Sequence, residues 1–502
     1  MNMTLQKKKF FDFEDFISSS LSPLKDIELY THTLDISKLL QALLSCTNVQ
    51  ALKLILSYFN IDGQGISNLS STLATLSNLQ KLSLRLVGIQ IDLQSVSILG
   101  SNLSQIKNLS TLELNVGNNQ IKDKGAEILI SKLAECSSLT NLTINLYENQ
   151  LTPQGLQGLG AALVKYQNLI ALTLELDCND FSGDQGLTGL DFSLICFSKL
   201  KDLSISIYDC KVNSKAASSL GYTLSKCNNI SKLKLNMQLN LISSSGAIAL
   251  CSALTGCSNM QNLCLYLYDN QIDDEGALGL GLALSSCINL TNLYLSLDKN
   301  KISPTGASAL GSQIANCSNI INLEFDLSQN QIGSQGAKGL VSPLVKCNKL
   351  QHLTLRIIDC NIGDQGLGLT LASLTNVQYL DLLLSNNQIG CQGILDLCSS
   401  FEKCINLQGL KLFLGNNQIE FQVVQFLSTT LANIQNLQTL SLSVKSNYEG
   451  LQTLCIGLKN CSKILYFSLD LYYSDDIQQD QELKIRNSMC KIKKLVEKYI
   501  FT

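Results

Sequence analysis

The chain is 502 residues long and 45% hydrophobic, and it sets 37 Lys and Arg against 40 Asp and Glu, a formal net charge of −3. So small an imbalance excludes a nucleic-acid or anionic-membrane partner held by electrostatics alone. Two histidines, with 19 cysteines that form no C-x-x-C pair, leave a zinc cluster without its ligand spacing.

The N-terminus reads MNMTLQKKKFFDFEDFISSS, in which a basic run is followed by aromatics and acids where a secretory signal has an apolar stretch. No apolar run reaches the ~20 residues of a membrane span, so a soluble protein of the cytoplasm is expected, with the nucleus left open. Residues 1–45, with Leu34, Ile36, Leu39, Leu40, Leu43 and Leu44, are predicted to form an N-terminal cap or degenerate first repeat.

From residue 46 to 475 one phrase recurs, as in LSTLELNVGNNQIKDKGAEI from Leu109 and MQNLCLYLYDNQIDDEGALG from Met260. If s is the first apolar position of a copy, fifteen copies start at Val49, Leu79, Leu109, Leu139, Leu169, Leu200, Ile230, Met260, Leu290, Ile320, Leu350, Val377, Leu407, Leu437 and Ile464. Their spacing is 30 residues except for one step of 31 and two of 27. Each copy reads L-x-x-L-x-L-x-L-x-x-N-x-I-x-x-x-G, strand alternation first and then an apolar helix that returns to the next start. The two short intervals, from Leu350 and from Leu437, each lose about one helical turn. The last segment, 476–502, is predicted to be a C-terminal capping helix, with Ile485, Met489, Ile492, Val496 and Ile500 on one stripe. A membrane-surface or calmodulin-type helix would need the same pattern.

Each repeated residue type has a physical reason. Positions s+3, s+5 and s+7 fall on one strand face and form the core. At s+10 stand Asn119, Asn149, Asn179, Asn240, Asn270, Asn300, Asn330, Asn387, Asn417 and Asn447, with Cys210 and Cys360 substituting. An amide there both donates and accepts, and so satisfies the buried backbone of a turn. Gly at s+16, as in Gly125, Gly306 and Gly336, permits an unusual backbone angle or a close approach where the helix starts. Nine cysteines (Cys46, Cys136, Cys227, Cys257, Cys287, Cys317, Cys347, Cys404 and Cys461) share the slot s−3, which Leu76, Ile106 and Tyr166 fill elsewhere. They are read as small apolar residues and free thiols of a reducing compartment rather than as disulfides. The N-L-[ST] triplets, such as Asn108-Leu109-Ser110 and Asn289-Leu290-Thr291, arise from the repeat itself.

These residues carry a resemblance to the leucine-rich repeat, in its ribonuclease-inhibitor-like form, over residues 46–475. Two residues and one more apolar position (Val116, Leu146, Leu267, Leu297) before the Asn depart from the usual signature. The resemblance implies an α/β fold, a solenoid or horseshoe of about 15 strand-turn-helix units with a parallel sheet on the concave side and helices on the convex side. It also implies binding rather than chemistry. In agreement, the sequence holds no G-x-x-x-x-G-K-[ST], G-x-S-x-G or H-E-x-x-H motif, and neither His32-Thr33 nor His352-Leu353 begins a kinase H-R-D. The expectation is a protein that is no enzyme and uses no cofactor, metal or small-molecule substrate.

The strand positions s+2, s+4, s+6 and s+8 face away from the core. They include Tyr147, Tyr208, Tyr266, Tyr268, Tyr294 and Tyr379. Tyr266, Tyr268 and Tyr294 fall on adjacent strands ~4.8 Å apart and are predicted to form one patch, flanked by Lys232 and Lys234 on one side and by Asp298, Glu324 and Asp326 on the other. With Tyr208, these nine residues are the expected partner-binding site, since Tyr offers large contact area at low entropic cost. The carboxylate pairs Glu175/Asp177 and Glu324/Asp326, spaced roughly 7 Å by the strand rise, are read as solvated acids rather than a catalytic or calcium pair. The function expected is a non-catalytic interaction scaffold or regulator. One alternative is a small-GTPase regulator, because the same repeats occur in the Ran GTPase-activating protein, but the basic C-terminal segment departs from its acidic tail and no functional residue carries over. The other is the substrate-recognition arm of a ubiquitin ligase, although no F-box is evident in the first 45 residues.

Overall fold

A computed structural model describes residues 7–190, 194–444, 448–458, 463–470, 481, 483–485, 487 and 497–501. The copy from Leu109 shows how the phrase folds. Thr111–Asn115 is a strand, and Leu112, Leu114 and Val116 are at most 1% exposed on its inner face. Asn118 at s+9 then takes a left-handed φ of 51°, as do its counterparts Glu148, Asp209, Leu239, Asp269 and Lys299, which turns the chain off the sheet. The helix Lys122–Leu133 follows, and its Ala126, Leu129, Ile130 and Leu133 are completely buried. Their spacing of three and four puts them on the one stripe that can meet the strand's inner face. Each such side chain contributes roughly 1.5–3 kcal/mol when removed from water, so each copy adds the same kind of core layer.

The backbone ladder outlasts the strand. Val116 N–H donates to the Asn145 carbonyl at 3.0 Å and Asn118 N–H to the Tyr147 carbonyl at 2.8 Å, so the two residues that depart from the usual repeat signature extend the pairing between copies.

The chain divides into two units, Met1–Ile242 and Ser243–Thr502. In the first, β1 (Lys7–Phe10), β2 (Asp26–Tyr30), β3 (Ala51–Ile55), β4 (Lys81–Arg85), β5 (Thr111–Asn115), β6 (Asn141–Asn145), β7 (Ala171–Glu175), β8 (Asp202–Ser206) and β9 (Lys232–Asn236) pair in sequence order. All pairs are parallel and match like positions of successive copies, Thr111 with Asn141 and Asp202 with Lys232. In the second, β10 (Asn262–Tyr266), β11 (Asn292–Ser296), β12 (Asn322–Asp326), β13 (His352–Arg356), β14 (Tyr379–Leu383), β15 (Gly409–Phe413), β16 (Thr439–Ser443), β17 (Tyr466–Asp470) and β18 (Glu497–Phe501) do the same. Strands β3 to β17 correspond one for one to the fifteen copies read from the sequence. In both units helices alternate with strands and the strand series stays open, which is the expected leucine-rich-repeat solenoid.

Two local rules become visible in three dimensions. Position s+13 caps the helix: Asp62 accepts from Gly65 N–H at 2.7 Å, Asp92 from Ser95 N–H at 2.7 Å, and Asp273 from Glu275 N–H at 3.1 Å. Of the two reasons for Gly at s+16, close approach is the operative one. A Cβ on Gly306 would stand 2.8 Å from the Asp274 Cα, and one on Gly336 2.8 Å from the Pro304 Cα, so the start of each helix lies against the preceding one.

The helix expected in every copy is absent from the copy starting at Leu350, one of the two short ones. Its only helical residues among those described are the 3₁₀ turn Leu371–Ser373, so the missing turn came out of the helix. The 31-residue copy from Leu169 has the 3₁₀ turn Thr188–Leu190, and its residues 191–193 lie outside the described set. The segment read as a cap, 1–45, contains two strand-helix units, β1 with Phe13–Ser18 and β2 with Ile36–Leu44. They are closed by Phe10 and Phe16, whose rings meet edge to face at 5.2 Å. Most of 476–502 lies outside the described residues, including Met489, Ile492 and Val496. Ile500, placed on a helical stripe by the sequence reading, belongs to β18, a strand paired with β17.

Candidate functional site

The Asn ladder is structural. Asn119 Nδ2 donates to the carbonyls of Leu86 at 2.7 Å, Val116 at 2.9 Å and Gly117 at 3.0 Å, and its Oδ1 accepts from Ile89 N–H at 2.8 Å. Cys210 and Cys360 keep the donor role, their Sγ atoms lying 3.3 Å and 3.2 Å from the Leu176 and Leu327 carbonyls. The eight described cysteines of the s−3 slot are all buried and free, while Cys461 lies outside the described residues. No group of three or more His, Cys, Asp or Glu able to hold a metal occurs among the described residues. Nor is any of their helices long and apolar enough to cross a membrane.

The residues expected to bind a partner lie on the outward sheet face. In the first unit Tyr208 lies on it at s+8, its N–H held by Asp177 Oδ1 at 2.8 Å. Lys232 and Lys234 of β9 are exposed there, with Lys232 Nζ 3.9 Å from Asp202 of β8. The pair Glu175/Asp177 is spent on neighbours: Glu175 accepts from Asn145, and Asp177 accepts from Ser206 Oγ at 2.6 Å. Burial pushes the Glu175 carboxyl above its ordinary value, and the hydrogen bond from Asn145 works against that.

The other six expected residues lie in the second unit. Tyr266 on β10 and Tyr294 on β11 are diagonal neighbours, because Cys264 stands opposite Tyr294 and Tyr266 opposite Ser296. Their ring centroids are 4.6 Å apart at an interplanar angle of 37°. Tyr268 engages a different group: Lys299 Nζ lies 5.4 Å from its ring centroid and 2.7 Å from Asp269. Asp298 accepts from Ser296 Oγ, and Asp326 from Ser328 N–H at 3.1 Å. Burial pushes the Asp298 carboxyl up, with Asp326 adding to the shift, and burial together with Asp326 raises the Tyr294 phenol. Glu324 is not the free acid the sequence suggested. Arg356 of β13 reaches it diagonally, Nε at 3.1 Å and Nη2 at 2.7 Å from Oε1.

Arg356 and the His352–Tyr379 stack, with centroids 4.6 Å apart and planes 10° from parallel, extend this surface beyond the residues singled out from the sequence. Asp381 and Lys411 continue it on β14 and β15. All of them occupy the s+2, s+4 or s+6 positions that define the outward face, so the signal was the register itself, read too narrowly around the middle of the array. Among the described residues of β10 to β17 and the turns that follow them, the outward positions carry the acids Asp298, Glu324, Asp326, Asp381 and Asp470 against the bases Arg356 and Lys411, and Lys445 holds a further such position outside the described residues. The arrangement offers aromatic surface in an acidic setting.

By its repeat and its open series of alternating strands and helices the chain has the fold of a leucine-rich-repeat solenoid. The family model described as Leucine Rich repeat matches residues 108–129 and 322–341. Among solved structures, the chain is similar to one titled "Crystal structure of Rad7 and Elc1 complex in yeast", at 16% identity and a TM-score of 0.39, over 82% of this chain and 84% of that one. No curated protein sequence matches it.

Proposed function

We propose that the protein is a non-catalytic interaction scaffold or regulator that binds a partner protein through the outward face of its sheet. The observation that carries this reading is the Tyr266–Tyr294 pair, rings 4.6 Å apart on adjacent strands, bordered by Asp298, Glu324 and Asp326. Half-buried aromatics beside charged groups are what an interface core and rim require. The partner-binding set is Tyr208, Lys232 and Lys234 in the first unit and Tyr266, Tyr268, Tyr294, Asp298, Glu324 and Asp326 in the second. We assign the repeat to the ribonuclease-inhibitor-like kind because a strand and a full helix fit in most 30-residue copies. The buried free thiols favour a reducing, cytoplasmic setting.

The test is affinity capture from native lysate with mass spectrometry, comparing the wild type with a Tyr266→Ala, Tyr294→Ala double variant whose fold is verified by circular dichroism. A partner retained by the wild type and lost from the variant is the expected result. Identical partner lists from the two proteins would overturn the reading.

A further inference from the structure

On the outward face of the second unit, β14 to β17 enclose a hollow of about 190 Å³. It exists because β15 places Gly409 at s+2, between two strands with larger side chains there. The Tyr379 ring lies over that glycine: a Cβ on Gly409 would stand 2.5 Å from Tyr379 Cδ1 and 2.7 Å from Thr439 Oγ1. His352 stacks on the ring from β13, so this wall is held from both sides. The opposite wall is Tyr466 of β17, 43% exposed, and between the two tyrosines lie Gly409, Lys411, Ser441 and Ser468. The volume is below the ~300 Å³ at which small-molecule sites begin and fits one anchoring side chain of a partner.

The charge of the hollow says which side chain. Two charged residues line it, Asp381, half-buried at s+4 of β14, and Lys411, its register partner on β15. Among the described residues the Asp381 carboxylate makes no hydrogen bond and no ion pair within 4.0 Å. The charged groups facing it from neighbouring strands are Lys411, Glu324, Arg356 and His352. Arg356 is already engaged by Glu324 at 2.7 Å, and Lys411 is turned toward Phe413, its Nζ 4.8 Å from that ring centroid. A carboxylate is therefore left in a partly desolvated, aromatic-walled hollow on a face where acids outnumber bases. Burial also pushes its carboxyl above the ordinary value, against the pull of the Lys411 charge.

We propose that this hollow receives an arginine side chain of the partner protein, its guanidinium on the Asp381 carboxylate and its flat face against the tyrosine walls. Arginine fits better than lysine because a planar fork satisfies a carboxylate through two hydrogen bonds while stacking on an aromatic ring. The proposal rests on the protein-interaction reading and deepens it at a place distinct from Tyr266 and Tyr294.

The test uses the full chain and a fluorescein-labelled glycine-serine heptapeptide with one central arginine, followed by fluorescence anisotropy at low salt. Its counterparts carry citrulline, which keeps the shape without the charge, or lysine. The expected result is saturable binding of the arginine peptide that weakens about tenfold or more with citrulline. Asp381→Asn should abolish the preference for arginine over citrulline, and Tyr466→Ser should weaken the arginine peptide. Glu402→Gln, a change of the same charge on the helix side, should leave both peptides unchanged. Absence of saturable binding, equal binding of arginine and citrulline, or a preference that survives Asp381→Asn would each overturn the proposal. If the peptide fails while the Tyr266/Tyr294 variant still loses a captured partner, the hollow falls and the interaction reading stands. The reverse pattern overturns the Tyr266/Tyr294 pair as the binding site and leaves the hollow as the place where the outward face engages a partner.

Discussion

Asn330 shows what one amide holds in place. Its Nδ2 donates to the carbonyls of Leu297 at 2.9 Å and Leu327 at 3.0 Å, and its Oδ1 accepts from Ile302 N–H at 3.0 Å, all in the interior. An Asn330→Ala change leaves these groups without water or partner, at about 1–3 kcal/mol for each unpaired group. We expect a loss of about 3 kcal/mol or more, read as a lower urea midpoint, whereas the same change at the exposed neighbour Gln329 should move it by no more than about 0.5 kcal/mol. This ladder was legible in the sequence because only a side chain that donates and accepts can serve both copies. The left-handed residue beside it, at s+9, was not. Asp269, Lys299 and Leu239 adopt the same φ near 52°, since the turn constrains only the backbone there and many side chains tolerate it at modest cost.

Between elements, the least legible part was the start. KKKF of β1 has no L-x-L alternation, and it is a strand because its lysines meet acids on β2 across the sheet. Lys7 Nζ lies 2.8 Å and Lys9 Nζ 3.0 Å from Glu28, whose carboxylate also accepts from Tyr30 OH at 2.9 Å. The Lys7 hydrogen bond is the largest of the influences that hold the Glu28 carboxyl down at about 2 against an ordinary 4.5. The folded state thus binds the proton more weakly than the unfolded chain. The stabilisation is complete above about pH 4.5 and disappears as pH falls through about 2. Both lysines are half-exposed, so the effect is small and salt-sensitive. A melting-temperature titration should show a drop over that window that Glu28→Gln flattens, and identical acid limbs in the two proteins would refute the linkage. The helix lost from the copy at Leu350 was half legible. Its three missing residues were plain in the spacing, but apolar positions three and four apart look the same in an α-helix and in a 3₁₀ turn.

For the whole molecule, repetition is what made the architecture readable, because a period of 30 residues can be counted without knowing any contact. The surface was less readable: Tyr266 and Tyr294 stand out by type, whereas Arg356 and Asp381 acquire meaning only from the diagonal and lateral neighbours that the register supplies. The same repetition buries most of the thiols, and burial pushes them up, Cys46 to about 11 and Cys360 to about 12. Brief iodoacetamide treatment of the native protein at about pH 8 should modify the exposed Cys178 and Cys196 and spare the eight described cysteines of the s−3 slot until urea is added. Peptide mapping that found those eight alkylated in the folded state would contradict a closed core. The amide ladder, finally, gives the array a direction in time. Ile302 N–H waits for an oxygen that lies 28 residues further along the chain, so as a ribosome delivers the protein, the newest turn is always chemically unfinished. Each copy is completed only by the birth of its successor.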